Sequence, residues 1–328
     1  MLKLVSCVIG LPLCLFSQAW LSPKGEGSAS VLYQYGIERL HAFSDGRTKD
    51  RGHTYLSGVL FDLDFSVTDD LAVRVSAPYI SGKYVGVNGH TLIRGRPETA
   101  VVSDNGSFHG SLQDFRFDVR YSLRRRALKV VPFFQTTTPS RDYPTLAHAA
   151  VGLNLREYRL GTNIGRRLDP ILPNAFIQGR YGFGFSQKVA GVARKRSYGE
   201  VQFGYFIARR LSLQGALVWT YSHNGNENDY DLFPNNLTDE EWRNHDRISR
   251  AKLLDVGANV GYALNRSTSI VVGAGRSMTG ANTHLRAMVV TVGIVKAFTT
   301  RLAIEDTSET VSLPQAGKAL VCTCAKSK

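Results

Sequence analysis

No run of roughly 18 or more apolar residues occurs in this 328-residue chain, which excludes a protein that crosses a bilayer with helices. Cysteine is scarce. Of the four, Cys7 and Cys14 lie in the N-terminal apolar stretch, and Cys322 and Cys324 lie near the end. The 20–298 body therefore carries no disulfide framework and no cysteine metal centre. A long basic run is also missing, although Lys and Arg number 40 against 27 Asp and Glu and the net charge is +13. The arginines are spread in small groups along the chain, a distribution that argues against nucleic acid as the partner. Nothing in the sequence implies a cofactor.

What is present begins with an export signal. Lys3 precedes an apolar core from Leu4 to Phe16, and Ser17-Gln18-Ala19 has the small-x-small form of a cleavage site before Trp20. The core is too short to anchor the chain as a spanning helix. Leu4-Val5-Ser6-Cys7 matches a lipoprotein box only superficially, because almost no apolar segment would precede the cysteine. The expected organisation is thus a signal over 1–19, a body over 20–298 and a tail over 299–328 with little strand pattern, read as disordered.

The body is organised around Gln113 to Leu123. Phe115, Phe117, Val119, Tyr121 and Leu123 alternate with Asp114, Arg116, Asp118, Arg120 and Ser122. A period of two in an extended strand makes one face apolar and the other charged. A soluble sandwich and a transmembrane barrel both use such strands, so the remaining segments must decide. Similar alternation runs over Ser28–Phe43, Thr54–Val67, Leu71–Tyr79, Ser111–Arg124 and Leu128–Thr138. Seven more segments follow: Leu155–Arg166, Asn174–Ser186, Tyr198–Ile207, Leu211–Tyr221, Ala251–Leu264, Ser267–Arg276 and Leu285–Phe298. Pro132 counts against the fifth, since proline removes a ladder donor.

The connections between these twelve segments alternate in length. Asp69-Asp70, Arg124–Arg126, Leu168–Pro173, Ala208–Arg210 and Asn265-Arg266 are short, whereas 44–53, 81–110, 139–154, 187–197, 222–250 and 277–284 are long or polar. Long-short alternation collects the long loops at one end of an antiparallel meander and both termini at the other. Outer-membrane barrels have this form, and a sandwich has no reason to keep it. The fold class expected is all-β: a single antiparallel transmembrane barrel of twelve strands, an up-and-down meander with no plug domain. It is placed in a bacterial outer membrane with both barrel termini periplasmic.

The last strand, Met288 to Phe298, ends on an aromatic and resembles the terminal strand that barrel-insertion machinery reads, although thirty residues follow Phe298 here. Trp20–Gly27, Ala77-Pro78-Tyr79, Gly110–Arg116 and Thr138–Tyr143 resemble the bacterial barrels called transporter-like, or of the phenol meta-cleavage-pathway type. That resemblance implies a barrel with a transport role and names no solute.

Three functions are open to such a barrel. The first is a narrow channel for small solutes, with a lumen lined by Asp62, Asp64, Asp114, Asp118, Glu157 and Glu200 against Arg74, Arg116, Arg120, Arg159 and Arg180. Unpaired charges in a narrow lumen are costly, so neighbours such as Asp114/Arg116 and Asp118/Arg120 are expected to pair. The second is a rim hydrolase of phospholipase type using His109 and Ser111, whose His-x-Ser spacing shares one strand face, although Leu112-Gln113 replaces the expected Asn-Gly and His223-Asn224-Gly225 has the wrong spacing. The third is a structural or adhesive barrel acting through its long loops. Asp239, Glu240, Glu241, His245 and Asp246 form a carboxylate-histidine group in the longest loop, a weak cation motif that solvation facing lipopolysaccharide also explains. Arg124–Arg126, Arg166-Arg167, Arg209-Arg210 and Arg266 place positive charge in the periplasmic turns, where phospholipid headgroups are the expected partners.

Overall fold

The structure, a computed structural model, describes residues 18–86, 92–93, 96–97, 102–123, 127–232 and 237–300. The apolar core of the expected signal, the Arg124–Arg126 turn and the tail beyond residue 300, with Cys322 and Cys324, lie outside the described residues. Fifteen strands run in chain order: β1 (Glu26–Ala42), β2 (Thr48–Ser66), β3 (Leu71–Val85), β4 (Leu92–Ile93), β5 (Arg96–Pro97), β6 (His109–Leu112), β7 (Phe115–Tyr121) and β8 (Leu128–Thr138). They continue with β9 (Glu157–Arg167), β10 (Ala175–Val189), β11 (Val192–Ala208), β12 (Leu211–Ser222), β13 (Lys252–Ala263), β14 (Thr268–Ala281) and β15 (Thr283–Thr299). The two-residue strands β4 and β5 form a ribbon of their own, and β6 with β7 makes one barrel strand interrupted at Gln113-Asp114.

Twelve barrel strands result, each paired antiparallel with its neighbours, and β1 closes the ring against β15 from Glu26↔Thr299 to Ala42↔Thr283. Closure satisfies the backbone of every strand, which a sheet immersed in hydrocarbon requires. Alternation then sorts the side chains. Val31 and Tyr33 are 49% and 48% exposed, whereas Leu32 and Gln34 between and beside them are 1% and 0%. Phe61, Leu63, Leu160, Phe203, Val260 and Ile294 continue the exposed apolar wall around the cylinder. A continuous apolar exterior is far larger than the patches soluble monomers expose, and it fits lipid. Among the described residues no helix is long and apolar enough to cross a membrane.

Several boundaries differ from those read off the sequence. β10 runs on to Val189 and β11 starts at Val192, so the expected loop 187–197 is a hairpin closed by Ala190 and Gly191, both at positive φ (43° and 80°). Likewise 277–284 shrinks to Asn282, and 44–53 to residues 43–47. The reason is strand length. β2 has 19 residues, yet a tilted strand needs only about 9–11 to cross the hydrocarbon. Beyond the bilayer both faces of a strand meet polar surroundings, so the alternation stops while the ladder continues. Only three long loops remain, 86–108, 139–156 and 223–251, all at the same end. Pro132 is accommodated because β7 pairing ends at Arg120↔Phe133, leaving its missing donor just past that ladder.

A closed barrel of this kind keeps its shape in cold detergent, so an unboiled sample is expected to migrate differently on a gel from a boiled one. Leu160→Arg, which puts a charge on the lipid face, should lower unfolding stability in vesicles by ~2–4 kcal/mol, measured by urea titration.

Candidate functional site

The inward side chains of β2, β3, β7, β9, β10 and β11 form a charge network. Arg74 Nε lies 2.9 Å from Asp64 Oδ2, and Arg120 donates to the same carboxylate. Arg120 Nε is 3.3 Å from Asp118 Oδ1, and Arg180 donates to the other oxygen of Asp118. From Arg180 the chain continues through the Gln18 carboxamide (2.7 Å), which donates to Glu200 Oε2 at 3.1 Å. A second group centres on Glu157. It accepts from Arg159 at 2.9 Å, from Arg196, and from the Tyr198 hydroxyl at 2.8 Å to each oxygen. The Arg159 guanidinium stacks 3.3 Å over the Tyr198 ring, and that of Arg180 stacks 3.6 Å over Phe133. Asp62 accepts from the Ser76 hydroxyl.

The eleven lumen residues named from the sequence have inward side chains, and Asp118 and Arg120 meet, but along β7 and not across adjacent strands. The Asp114/Arg116 pair does not form. Asp114 sits in the break between β6 and β7 and accepts the Tyr143 hydroxyl instead, because the interruption frees it from the ladder and turns it towards the incoming loop. Arg74, Asp114, Arg116, Asp118, Glu157, Arg159, Arg180 and Glu200 line a cavity of about 100 Å³.

The long-loop end is closed from inside. Loop 139–156 turns into the barrel and packs Tyr143, Ala147, Ala150 and Val151 on Leu32, Leu56, Leu60 and Ile80, which are inward positions of β1 to β3. Asp104 accepts the backbone N–H groups of His148 and Ala149, both at 2.9 Å. Ala149 approaches β3 so closely that a Cβ on Gly82 would come within 2.5 Å of its carbonyl oxygen, so that position needs glycine. Burial and the adjacent Asp114 carboxylate push the Tyr143 hydroxyl far up, so it remains a donor. Loop 223–251 also turns inward, burying Ile248 completely, and Arg247 donates to the Asn154 carbonyl (2.9 Å) to join the two loops. At the short-turn end, Gln18–Trp20 enters the lumen, with Ala19 N donating to Gln178 (3.3 Å) and Trp20 edge-on to Phe176.

The catalytic and metal motifs are not assembled. His109 Nε2 meets Asn105 Oδ1 at 2.8 Å, and Ser111 Oγ donates to the Leu112 carbonyl and accepts from Arg141 Nε, so the two do not touch each other. His223 does contact a serine, Ser197 (2.8 Å), with Tyr181 on the same hydroxyl, but no carboxylate orients its other nitrogen among the described residues. In the acidic loop, Asp239 and Glu240 are exposed and Glu241 caps the turn at Thr238, which holds its carboxyl below the usual range, whereas His245 and Asp246 are buried. No group of three metal-binding side chains forms among the described residues.

Sequence reasoning missed Arg194, Arg196, Asp255, Arg286 and Tyr143. Arg194 and Arg196 fell within the stretch read as a loop. Asp255 and Arg286 pair on the opposite wall at 1% exposure each, and strand parity could have found them. Tyr143 carries no sequence signal, since its role depends on a loop turning inward.

Asp118→Asn removes the countercharge of Arg120 and Arg180 and should lower unfolding stability by ~3–5 kcal/mol. Tyr143→Phe takes one hydrogen bond from Asp114 and should cost ~1–3 kcal/mol, read as faster hydrogen exchange over 139–156 with the strands unchanged.

No known family profile matches the sequence, and no curated protein does. Solved structures do match. An outer membrane channel from Pseudomonas putida F1 aligns over 86% of this chain and 99% of its own, at 12% identity and TM-score 0.63. The NanC porin aligns over 82% and 98% (8% identity, TM-score 0.47), and the P. putida toluene transporter TodX over 90% and 94% (9%, 0.44). With its closed ring of twelve antiparallel strands, apolar outside and charged inside, the chain folds as an outer-membrane β-barrel.

Proposed function

We propose that this barrel is a passive channel for small solutes in a bacterial outer membrane, with its termini and short turns periplasmic and its long loops outward. The observation that carries the reading is the charged inner wall around a cavity of about 100 Å³. Water and small polar solutes are favoured there and lipid is not. The likeness to an outer membrane channel supports the same role. Because the lumen charges are nearly balanced, ion preference is expected to be weak.

In this state the path is narrow. Loops 139–156 and 223–251 narrow one end and Gln18–Trp20 the other. Export cleavage between Ala19 and Trp20 would remove Gln18 and leave Arg180 and Glu200, direct neighbours on β10 and β11, without the carboxamide that bridges them. The exposed Arg166, Arg209, Arg210 and Arg266 at the short-turn end suit phospholipid headgroups, the outer loops suit lipopolysaccharide, and the β15 strand with Phe298 suits the insertion machinery.

Reconstitution into a planar bilayer tests the channel. Discrete conductance steps are expected, altered by Arg116→Ala or Arg120→Ala. Removing residues 143–153 should raise the conductance several-fold. A barrel that inserts and stays silent even without that loop would overturn the reading.

A further inference from the structure

The cavity has more donors than acceptors, and the surplus is local. Its carboxylates are engaged: Asp118 by two arginines, Glu157 by Arg159, Arg196 and Tyr198, Glu200 by Gln18 and Gln202, and Asp114 by Tyr143. Arg116 is the exception among the cavity's guanidinium groups. It makes no hydrogen bond and no ion pair among the described residues, and its charged neighbours are Arg159 on one side and Asp62 and Asp114 on the other. Asp62 is held by Ser76 and Asp114 by Tyr143, so neither closes on it.

Arg159 is also short of an acceptor, because its Nε is buried with no hydrogen-bond partner. Pairing places Arg116 opposite Thr137, and Arg159 opposite Gln135, so two residues of β8 lie on the inner wall between the two arginines. Neither the Thr137 hydroxyl nor the Gln135 amide is bonded to the protein among the described residues, and both line the cavity. The arginines are two strand spacings apart and offset by two residues along the strands, about 12 Å at the backbone, a span that two long side chains can cover. Two guanidinium groups, a hydroxyl and an amide thus face one part of the cavity, and among them are donors that no protein acceptor among the described residues takes. A water needs only ~10–15 Å³ of such space, so about 100 Å³ admits a small solute and some of its hydration.

We propose that this cavity is a binding site for a small carboxylate anion, held in a fork by Arg116, with Arg159, Thr137 and Gln135 as further donors. A planar guanidinium matches a carboxylate in bidentate geometry, and a half-buried arginine without a protein partner can offer a pair of its donors to such a ligand. The Tyr198 ring beneath Arg159 and the Phe133 ring beneath Arg180 form the apolar parts of the wall. The proposal rests on the channel reading for its use, since a site inside the lumen selects what passes, but binding can be measured without conduction.

The test is a ligand-observed NMR titration of the full chain, refolded in detergent, with acetate and with its neutral isostere acetamide. Acetate should bind saturably and acetamide should not. Arg116→Gln should weaken acetate at least tenfold, about 1.4 kcal/mol, and Arg116→Lys should recover part of the loss because it restores charge without the fork. Heat-dependent gel mobility confirms that each variant is folded. If Arg116→Gln fails to fold, Thr137→Val, which removes only a hydroxyl, should still weaken acetate several-fold. Equal binding of acetate and acetamide, or acetate affinity unchanged in the folded variants, overturns the site. A barrel that is silent in bilayers yet binds acetate through Arg116 keeps the site and rejects the channel, and the converse result does the reverse.

Discussion

Every backbone N–H and C=O that crosses hydrocarbon must find its partner within the protein, and here the pairing of β1 with β15 completes that requirement. The rest of the structure depends on this closure. A ring of antiparallel neighbours needs an even number of strands for first and last to meet antiparallel, which puts both ends of the barrel on one side. It also divides side chains into two populations by parity alone, one facing lipid and one enclosed. An enclosed set has no bulk water to solvate charge, so each inward ion needs a partner from another strand.

The enclosed surface is not uniform. The wall from β2 through β11 carries the arginines and carboxylates of the network, which runs through shared acceptors, with Asp64, Asp118 and Glu157 each serving two guanidinium groups. Nearer the long-loop end, β1 to β3 present Leu32, Leu56, Leu60 and Ile80 to the interior, where exposure to water would be unfavourable. Loop 139–156 resolves this by covering the apolar patch, and the same loop delivers Tyr143 to Asp114. One segment thus both covers the apolar patch and engages the charged wall.

The fold was legible because alternation is a local signal with a fixed period. Phe115 to Leu123 reads as a strand without any knowledge of its neighbours, and twelve such segments leave few topologies. The ends of strands were less legible. Lys188, Arg194 and Lys195 look like loop residues, yet they extend a hairpin above the bilayer where polarity no longer reports on burial. The inward residues could be named from parity, as Asp118 and Arg120 show. Their partners could not, because pairing depends on register between strands distant in sequence: Arg180 meets Asp118 across 62 residues, and Asp114 finds a tyrosine in a loop rather than the adjacent arginine.

That last difference bears on what the lumen does. If the inner charges served only to stiffen the cylinder, each would gain by finding a countercharge, since a half-satisfied buried network is less favourable than a complete one. Most do. Arg286 with Asp255 is such a pair, nearly sealed from solvent on the wall away from the cavity. Glu38, buried on β1 with neither carboxylate oxygen hydrogen-bonded among the described residues, is one exception. Another lies where the wall borders open space: the countercharge expected for Arg116, Asp114, is turned away by the strand break and bound by Tyr143. A guanidinium left without a protein acceptor at the edge of a cavity keeps its favourable energy only through something that enters that cavity. Pairing over most of the wall stiffens the cylinder, and the lapse at Arg116 falls where that wall is open to a ligand.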